Sequence, residues 1–271
     1  IPSPHKINWN SPHHLVISMA RNFLSKKNHS FSPRPLGHIV VELKKDGDTV
    51  LTGMSSTQKK ALFKPVFSGK YGLGILFKLI DGRLEKKEPL FAEIEARSRE
   101  EKIAFITFNI SDTAYNCLKN YIDSFQLLGY DKLYNGLNDP RHGTGSGCSA
   151  FGISFLELIN ILDPEFPREW TRNVAIPYKL IGGDITGNKV RLRKVLFSFS
   201  WAKNKMPYTP LKLYDPFLIY SWIEKKYDAE TKSSSGKYML SKINGAKGLV
   251  VECRQTSHPQ LPMFTGMTIK H

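Results

Sequence analysis

The stretch "RHGTGSGCSAF", residues 141–151, decides how this chain is interpreted. Glycines and small polar residues lead to Cys148, and the run 149–162 that follows is apolar almost all the way round. A helix without a polar face is buried on all sides, so we predict that Cys148 begins a central helix. At that position the helix dipole lowers the pKa of a thiol, and the first backbone N–H groups point toward a bound anion.

A phosphate-binding loop is the competing interpretation of these glycines. Such a loop follows a strand and opens a helix, and its nucleotide-binding form ends in Gly-Lys-Ser or Gly-Lys-Thr. Here the preceding residues, "GLNDPRH" (136–142), are typical of a loop, and the sequence at the glycines is Gly-Cys-Ser. The stretch therefore favours a reactive thiol over a phosphate site.

A nucleophilic thiol needs a base, and we expect His38 to be that base. It opens the β-type segment "GHIVVEL" (37–43), where Gly37 permits close approach and a strand would hold the imidazole in place. His142 is nearer to Cys148 in sequence, but it lies in the flexible loop and would be poorly held. The other histidines lie near the termini or in polar loops, and we expect them at the surface.

Two residues are candidates for the third member, which would orient His38. Glu42 shares the face of His38 because alternate strand residues point the same way, and Thr52 lies on the next predicted strand. Both remain open at this point. The backbone N–H of Cys148 is the expected oxyanion donor.

The net charge is strongly positive, with 39 basic and 24 acidic residues giving +15. Residues 164–271 hold 18 of the basic and 8 of the acidic residues, so +10 of the charge lies there. Such a field favours an anionic partner: an acidic wall polymer, an anionic lipid or a nucleic acid. Part of that charge, in "KVRLRK" (189–194), alternates with apolar residues in the manner of an edge strand.

Three cysteines, Cys117, Cys148 and Cys253, leave at least one thiol unpaired in any compartment. Cys117 and Cys253 are expected to be packed thiols, although they could pair in a secreted protein. Neither the cysteines nor the histidines show the spacing of a metal site, so we expect no metal and no cofactor. No window approaches 18 consecutive apolar residues, so no membrane-spanning helix is expected.

The remaining pattern mixes helices and strands. Helices are predicted over 14–24, 113–129 and 215–228, with N-caps at Ser111 and Asp215 for the last two. A hairpin is predicted over 37–54, around Asp-Gly. Further strands are predicted over 71–82, 91–98, 190–203 and 248–255, and 102–110 is predicted to be a strand or a junction between a strand and a helix. This order indicates an α+β fold.

The residues "GCSAF" (147–151) and the strand start "GH" (37–38) resemble the NlpC-type, papain-like superfamily of cysteine peptidases and amidases. Its nucleophile motif reads Asp/Asn-Cys-Ser/Thr-x-Phe, and its base opens a strand. Here His38 precedes Cys148, which is the order of the circularly permuted branch. Gly147 departs from the family's Asp or Asn. The resemblance covers residues 35–165.

The resemblance implies an antiparallel sheet packed on the helix that bears Cys148. We expect a papain-like catalytic core with an N-terminal helix over 1–163 and a basic extension over 164–271, packed on the core. The implied activity is hydrolysis or acyl transfer at an amide or ester bond, with cell-wall peptides as the expected substrate. A start at Ile1 is typical of a processed chain, so we expect a secreted or periplasmic protein.

The alternative is a non-catalytic binding protein for an anionic polymer, built on the same fold with a degenerate site. It would use the basic surface without a reactive thiol.

Overall fold

The computed structural model describes residues 1–25, 34–57, 70–203, 205–257 and 261–266, and they form an α+β fold. The helices are α1 (Pro12–Leu24), α2 (Lys87–Arg99), α3 (Asp112–Leu127), α4 (Cys148–Leu158), α5 (Glu165–Trp170), α6 (Leu192–Leu196) and α7 (Pro216–Lys232). The strands are β1 (Val41–Lys45), β2 (Asp48–Thr52), β3 (Met54–Ser56), β4 (Ile80–Leu84), β5 (Ala104–Asn109), β6 (Leu133–Tyr134), β7 (Thr171–Pro177), β8 (Tyr208–Tyr214), β9 (Met239–Ile243) and β10 (Ala246–Glu252).

Within these residues the strands form four small sheets. Three are antiparallel: β1–β2, β3–β4–β6 and β7–β8. The fourth is mixed, because β10 pairs parallel with β5 on one side and antiparallel with β9 on the other. Small antiparallel sheets surrounded by helices are thus the architecture that positions the site.

The predicted hairpin is confirmed as β1 and β2. Asp46 and Gly47 form its turn with φ angles of 47° and 85°, the two positive values that a two-residue type I′ turn requires. The chain then passes through Gly53 directly into β3, which pairs with β4. The N–H of Glu85 donates to the Gly53 carbonyl at 2.9 Å, so the end of β4 is fixed beside the end of β2.

Helix α4 begins at Cys148, as predicted, and ends at Leu158, four residues earlier than the sequence pattern indicated. One face puts Phe151 and Phe155 into a core shared with α3 and the β1–β2 hairpin. Another face puts Ile153 into a separate core with α5, α7 and β10. Helix α4 is apolar on almost every side because it lies between two cores.

The caps of the long helices follow the sequence. Ser111 accepts a hydrogen bond from the Ala114 N–H at the start of α3. Asp215 accepts one from the Phe217 N–H at the start of α7, where Pro216 occupies the first helical position. The helices predicted over 14–24, 113–129 and 215–228 are confirmed as α1, α3 and α7. The caps at Ser111 and Asp215 stabilise α3 and α7 because they satisfy N–H groups that a helix start leaves free.

The strand predicted over 91–98 is wrong, since this segment is the middle of α2. Its alternation of apolar and charged residues suggested a strand, but the buried positions are Leu90, Glu93 and Ser98, which lie on one face of a helix. Arg97 and Arg99 make ion pairs four residues back along the helix, with Glu93 and Glu95. Such pairs, and the helix propensity of Ala, Glu and Arg, override the apparent period of two.

Of two other predicted strands, the first forms only in part and the second does not form. In 71–82 the chain forms a 3-10 helix over Leu73–Phe77 before β4 begins at Ile80. In 190–203 it forms the short helix α6, in which Val195 is fully buried while Arg193 and Lys194 are exposed. The alternation in "KVRLRK" therefore marks a turn of helix beside a loop rather than an edge strand. Strands over 102–110 and 248–255 are confirmed as β5 and β10.

The segment after residue 163 packs against the segment before it. β10 pairs with β5 over six residues, from Lys247 beside Ala104 to Glu252 beside Asn109. Trp170 and Trp222, from α5 and α7, share a core with Ile153 of α4. Among the described helices none has the length and hydrophobicity needed to cross a lipid bilayer.

Candidate active site

Cys148 is the first residue of α4, and the residue before it, Gly147, offers the helix no side-chain cap. A Cβ at Gly147 would lie 2.6 Å from the Cα of Gly136, so only glycine lets these two chain segments meet. Because no side chain caps the helix, its first-turn N–H groups are left to interact with the thiol's surroundings or with a ligand. The positive end of the helix dipole thus faces the sulfur.

His38 lies three residues before β1 and interacts with both Glu85 and Cys148. Its Nε2 is 2.5 Å from Oε2 of Glu85. A second hydrogen bond joins the imidazole to the thiol of Cys148. With Nε2 occupied by the carboxylate, Nδ1 is the nitrogen available to the sulfur. The structure therefore brings together the two residues that the sequence singled out.

Two glycines allow the strand and the helix to approach closely enough for this contact. A Cβ at Gly53 would lie 3.0 Å from Nε2 of His38 and 2.9 Å from the carbonyl oxygen of Ile39. A Cβ at Gly152, one turn along α4 from Cys148, would lie 2.6 Å from the side chain of Ile39. The N–H of Ile39 in turn bonds the sulfur of Cys148. Larger residues at either glycine would separate base from thiol.

A row of alternating charges extends behind His38. Arg34 donates to Glu85 at 2.9 Å and makes two bonds to Glu93, at 2.7 and 3.1 Å. Glu93 also accepts from Arg97 at 2.9 Å. The Arg34 and Glu93 side chains are nearly buried, at 7% and 4% exposure. Each buried charge is paired with an opposite one, as burial requires, and the row fixes the position of the Glu85 carboxylate.

These contacts decide the protonation states. Burial raises the pKa of the Cys148 thiol, but the charge and hydrogen bond of His38, the Ile39 N–H and the Ser149 hydroxyl outweigh it, and the pKa is lowered to about 6. Burial lowers the pKa of His38, yet the nearby Cys148 sulfur and Glu85 raise it overall. Near neutral pH the pair is therefore a thiolate beside an imidazolium, the reactive form of a cysteine nucleophile.

Glu85 remains ionised throughout this range. Burial raises the pKa of its carboxyl, but the hydrogen bond and charge of His38, and those of Arg34, lower it to about 2. An ionised Glu85 stabilises the imidazolium and holds the ring in one orientation. These are the two roles of the third group in a nucleophile–base–carboxylate triad.

Tyr134 is a further polar group at the sulfur. Its hydroxyl hydrogen-bonds the Cys148 thiol and also lies against the backbone N–H of Cys148. Burial and the neighbouring sulfur hold the pKa of Tyr134 well above its usual range, so the hydroxyl keeps its proton. Its strand, β6, pairs with β4, with Tyr134 opposite Ile80. The Cys148 N–H and the Tyr134 O–H are thus two donors at one place.

The other predicted residues lie elsewhere or act indirectly. Glu42 is exposed on β1, and the carboxylate that bonds His38 is that of Glu85 instead. Thr52 is buried and donates to the backbone carbonyl of Glu85 at 3.0 Å, so it supports Glu85 rather than the imidazole. His142 is exposed, 3.6 Å from Asp139. Cys117 and Cys253 are both free thiols, not a disulfide.

Sequence reasoning missed Glu85, Arg34, Glu93 and Tyr134. Assigning 91–98 to a strand hid the helical pair Glu93 and Arg97, which was the available signal for the charged row. Glu85 is one of several charged residues in "LEKKEPL" (84–90), and nothing local distinguishes it. Tyr134 reaches the sulfur only because β6 pairs with β4, a contact between segments 50 residues apart that no local pattern encodes.

No family model, curated protein or solved structure matches this chain. Within the described residues, no three His, Cys, Asp or Glu side chains form a cluster suited to a metal ion. The candidate site therefore stands on its own geometry.

Proposed function

We propose that this protein is a thiol hydrolase or acyltransferase that acts on amide or ester bonds. One observation carries the proposal: the imidazole of His38 lies 2.5 Å from the Glu85 carboxylate and interacts, by charge and by a hydrogen bond, with the Cys148 thiol, whose pKa it lowers. Structural cysteines lack such a base, and burial alone would raise their pKa. The pKa of about 6 makes Cys148 a thiolate at neutral pH.

In the first step the Cys148 thiolate attacks the substrate carbonyl carbon. A C–S bond forms, and the carbonyl π electrons move to the oxygen, which becomes an oxyanion. The Cys148 N–H and the Tyr134 O–H are placed to donate to that oxygen, since the N–H bonds the Tyr134 hydroxyl and the hydroxyl bonds the sulfur. When the substrate oxygen enters, the Tyr134 hydroxyl transfers its hydrogen bond from the sulfur to the oxyanion, and the Cys148 N–H transfers its own from the hydroxyl to the oxyanion.

In the second step the oxyanion collapses and the C–N or C–O bond breaks. The leaving amine or alcohol takes the proton of the His38 imidazolium, so the products are a thioester on Cys148 and a neutral imidazole. Neutral His38 then removes a proton from water or from another acceptor, which attacks the thioester. The carboxylic acid or the acylated acceptor leaves, and the thiolate–imidazolium pair is restored.

We further propose that the protein is a circularly permuted papain-like enzyme of the bacterial envelope that acts on cell-wall peptides. Supporting it are the order of His38 before Cys148 and the Cys-Ser-x-Phe stretch at the start of a buried helix. The base precedes a strand of a small antiparallel hairpin that contributes to the same core as that helix.

The test is to trap the acyl-enzyme. The protein is incubated with an activated ester and, separately, with peptidoglycan peptides, and the acyl group is located by mass spectrometry of the digested protein. We expect a thioester on Cys148 and loss of turnover in Cys148→Ala, with Cys117→Ala as the matched control that keeps both. Turnover that persists in Cys148→Ala, or acylation only at other residues, would refute the mechanism.

A further inference from the structure

A surface of exposed cations and aromatic rings lies on the segment that connects β7 to β8, far along the chain from Cys148. Lys189, Arg191, Arg193 and Lys194 are all exposed. Next to them Phe197 is 77% exposed and Phe199 is 64% exposed, two of the most exposed large apolar side chains among the described residues. We call these six residues the basic aromatic surface.

Cations far outnumber carboxylates in this segment. Residues 178–207, between β7 and β8, hold seven Lys or Arg and one acidic residue, Asp184. Helix α1, which packs against this segment, has no acidic residue, and none occurs before Glu42. An ordinary soluble surface mixes both signs, so a region dominated by one sign indicates an anionic partner.

The backbone beneath the two phenylalanines is firmly held. The His13 N–H donates to the Ser198 carbonyl at 3.0 Å, and His13 Nδ1 bonds the Leu196 carbonyl at 2.5 Å. Further on, the Trp201 indole N–H donates to the Trp9 carbonyl at 2.6 Å. These bonds anchor the loop to the start of α1, so the rings of Phe197 and Phe199 project from a fixed base.

The apolar and basic character continues onto α1. His13, whose ring lies 4.7 Å from that of Phe199, is followed at helical spacing by Ile17 and Arg21. Ile17 is 48% exposed and Arg21 is exposed. Residues four apart share one face of a helix, so this stripe extends the surface formed by Phe197 and Phe199.

We propose that the basic aromatic surface docks this protein onto an anionic lipid bilayer. Phenylalanine and isoleucine side chains can bury in the boundary between headgroups and acyl chains, while the surrounding Lys and Arg contact lipid phosphates. An acidic polysaccharide would pair with the cations, but it has no apolar interior in which the phenylalanine rings could be buried. A nucleic acid could stack on aromatic rings, but the ring of Phe199 already packs against His13.

The test is vesicle flotation with the Cys148→Ala protein, so that the result does not depend on the proposed chemistry. Vesicles of phosphatidylcholine alone are compared with vesicles containing phosphatidylglycerol, and heparin and single-stranded DNA are competing probes. We expect binding to the anionic vesicles only. Binding should weaken at 1 M salt, where the Debye length is about 3 Å rather than about 10 Å at 0.1 M.

Two variants separate the contributions of charge and ring. Replacing Lys189, Arg191, Arg193 and Lys194 by Gln should lower the partition coefficient on anionic vesicles by about 600-fold, since each of the four cations near such a surface contributes about a factor of five. The double variant Phe197→Ser, Phe199→Ser should lower it by about 10-fold, since apolar burial contributes to interfacial binding.

Matched controls use exposed residues elsewhere. Gln at Lys44, Lys86, Lys225 and Lys232 removes as many exposed charges, and Leu127→Ser removes an apolar side chain that is 87% exposed. Both control variants should bind nearly as the parent does. The proposal is overturned if the parent does not bind anionic vesicles, if the phenylalanine variant binds as well as the parent, or if heparin or DNA is bound more tightly than the vesicles.

Discussion

Oε2 of Glu85 lies 2.5 Å from Nε2 of His38, although 47 residues separate the two in sequence. The contact exists because Gly53 joins the β1–β2 hairpin to the sheet of β4, at whose end Glu85 lies. Glu85 is also bonded to Arg34, which links it to Glu93. The imidazole beside Cys148 is therefore oriented by a carboxylate that is itself held in place.

The first prediction concerns the choice of carboxylate. Glu85→Gln removes the negative charge that favours the imidazolium, so the pKa of Cys148 should rise by about 1 unit or more. It also leaves Arg34 with one acidic partner fewer, so the free energy of unfolding should fall by about 1–3 kcal/mol. Both are measured on the purified variant, by pH-dependent alkylation and by urea unfolding.

The matched control for that variant is Glu42→Gln, which makes the same chemical change on the exposed face of β1. It should leave both the thiol pKa and the unfolding midpoint unchanged. A Glu42→Gln effect as large as that of Glu85→Gln would show that the wrong carboxylate has been assigned to His38.

The second prediction concerns stability in acid. The pKa of Glu85 is about 2 in the folded protein and 4.5 for an ordinary glutamate, so its contribution to stability is complete above about pH 4.5. That contribution is lost as pH falls through the folded pKa. The urea midpoint should therefore drop between pH 4.5 and pH 2.5 in the parent and drop less in Glu85→Gln. Parallel curves for the two proteins would contradict the pairing.

The third prediction concerns Tyr134. If its hydroxyl donates to the oxyanion, Tyr134→Phe should lower kcat by about 100-fold, the usual effect of removing one such donor. Alkylation of Cys148 by iodoacetamide forms no oxyanion, so its rate should change little when it is measured at a pH well above the thiol pKa, where Cys148 is ionised with or without the Tyr134 hydrogen bond. A merely structural tyrosine would instead leave kcat intact or lower alkylation and kcat together.

The fourth prediction concerns the close approach at Gly53. Gly53→Ala places a Cβ 2.9 Å from the Ile39 carbonyl oxygen and 3.0 Å from His38, so the ring must shift. We expect unfolding to become easier by about 1–3 kcal/mol and the reactivity of Cys148 to fall. Gly136→Ala is the control, because a Cβ there meets no atom within 4 Å. Equal effects at both glycines would show that the close approach of Gly53 to His38 is not what maintains the reactivity of Cys148.

Several features of the fold and of the site depend only on residues that are neighbours in sequence. Cys148 and the helix it begins were predictable because a segment that is apolar on almost every side requires burial, and His38 because few histidines precede a β-type segment. The hairpin turn at Asp46 and Gly47, and the caps at Ser111 and Asp215, were also predictable from neighbouring residues.

Glu85 and Tyr134 were not predictable in this way. Each reaches the site through pairing of strands distant in sequence: β3 with β4 for Glu85, and β4 with β6 for Tyr134. Glu42 was chosen by alternation along its own strand, and alternation does not reveal what packs against that strand. Helix α2 was missed because its alternating charges fit a strand as well as a helix when the residues that pair with them are not known.

The central claim is that His38 and Glu85 make Cys148 a thiolate at neutral pH. The most direct measurement is the rate of Cys148 alkylation by iodoacetamide as a function of pH, resolved by peptide mass spectrometry. Cys253 is the internal control, because it is as buried as Cys148, at 8% exposure, while burial raises the pKa of its thiol. We predict a midpoint near pH 6 for Cys148, moving upward by more than one unit in His38→Ala. A midpoint at or above the ~8.5 of a free thiol, or one that His38→Ala does not move, would contradict the account.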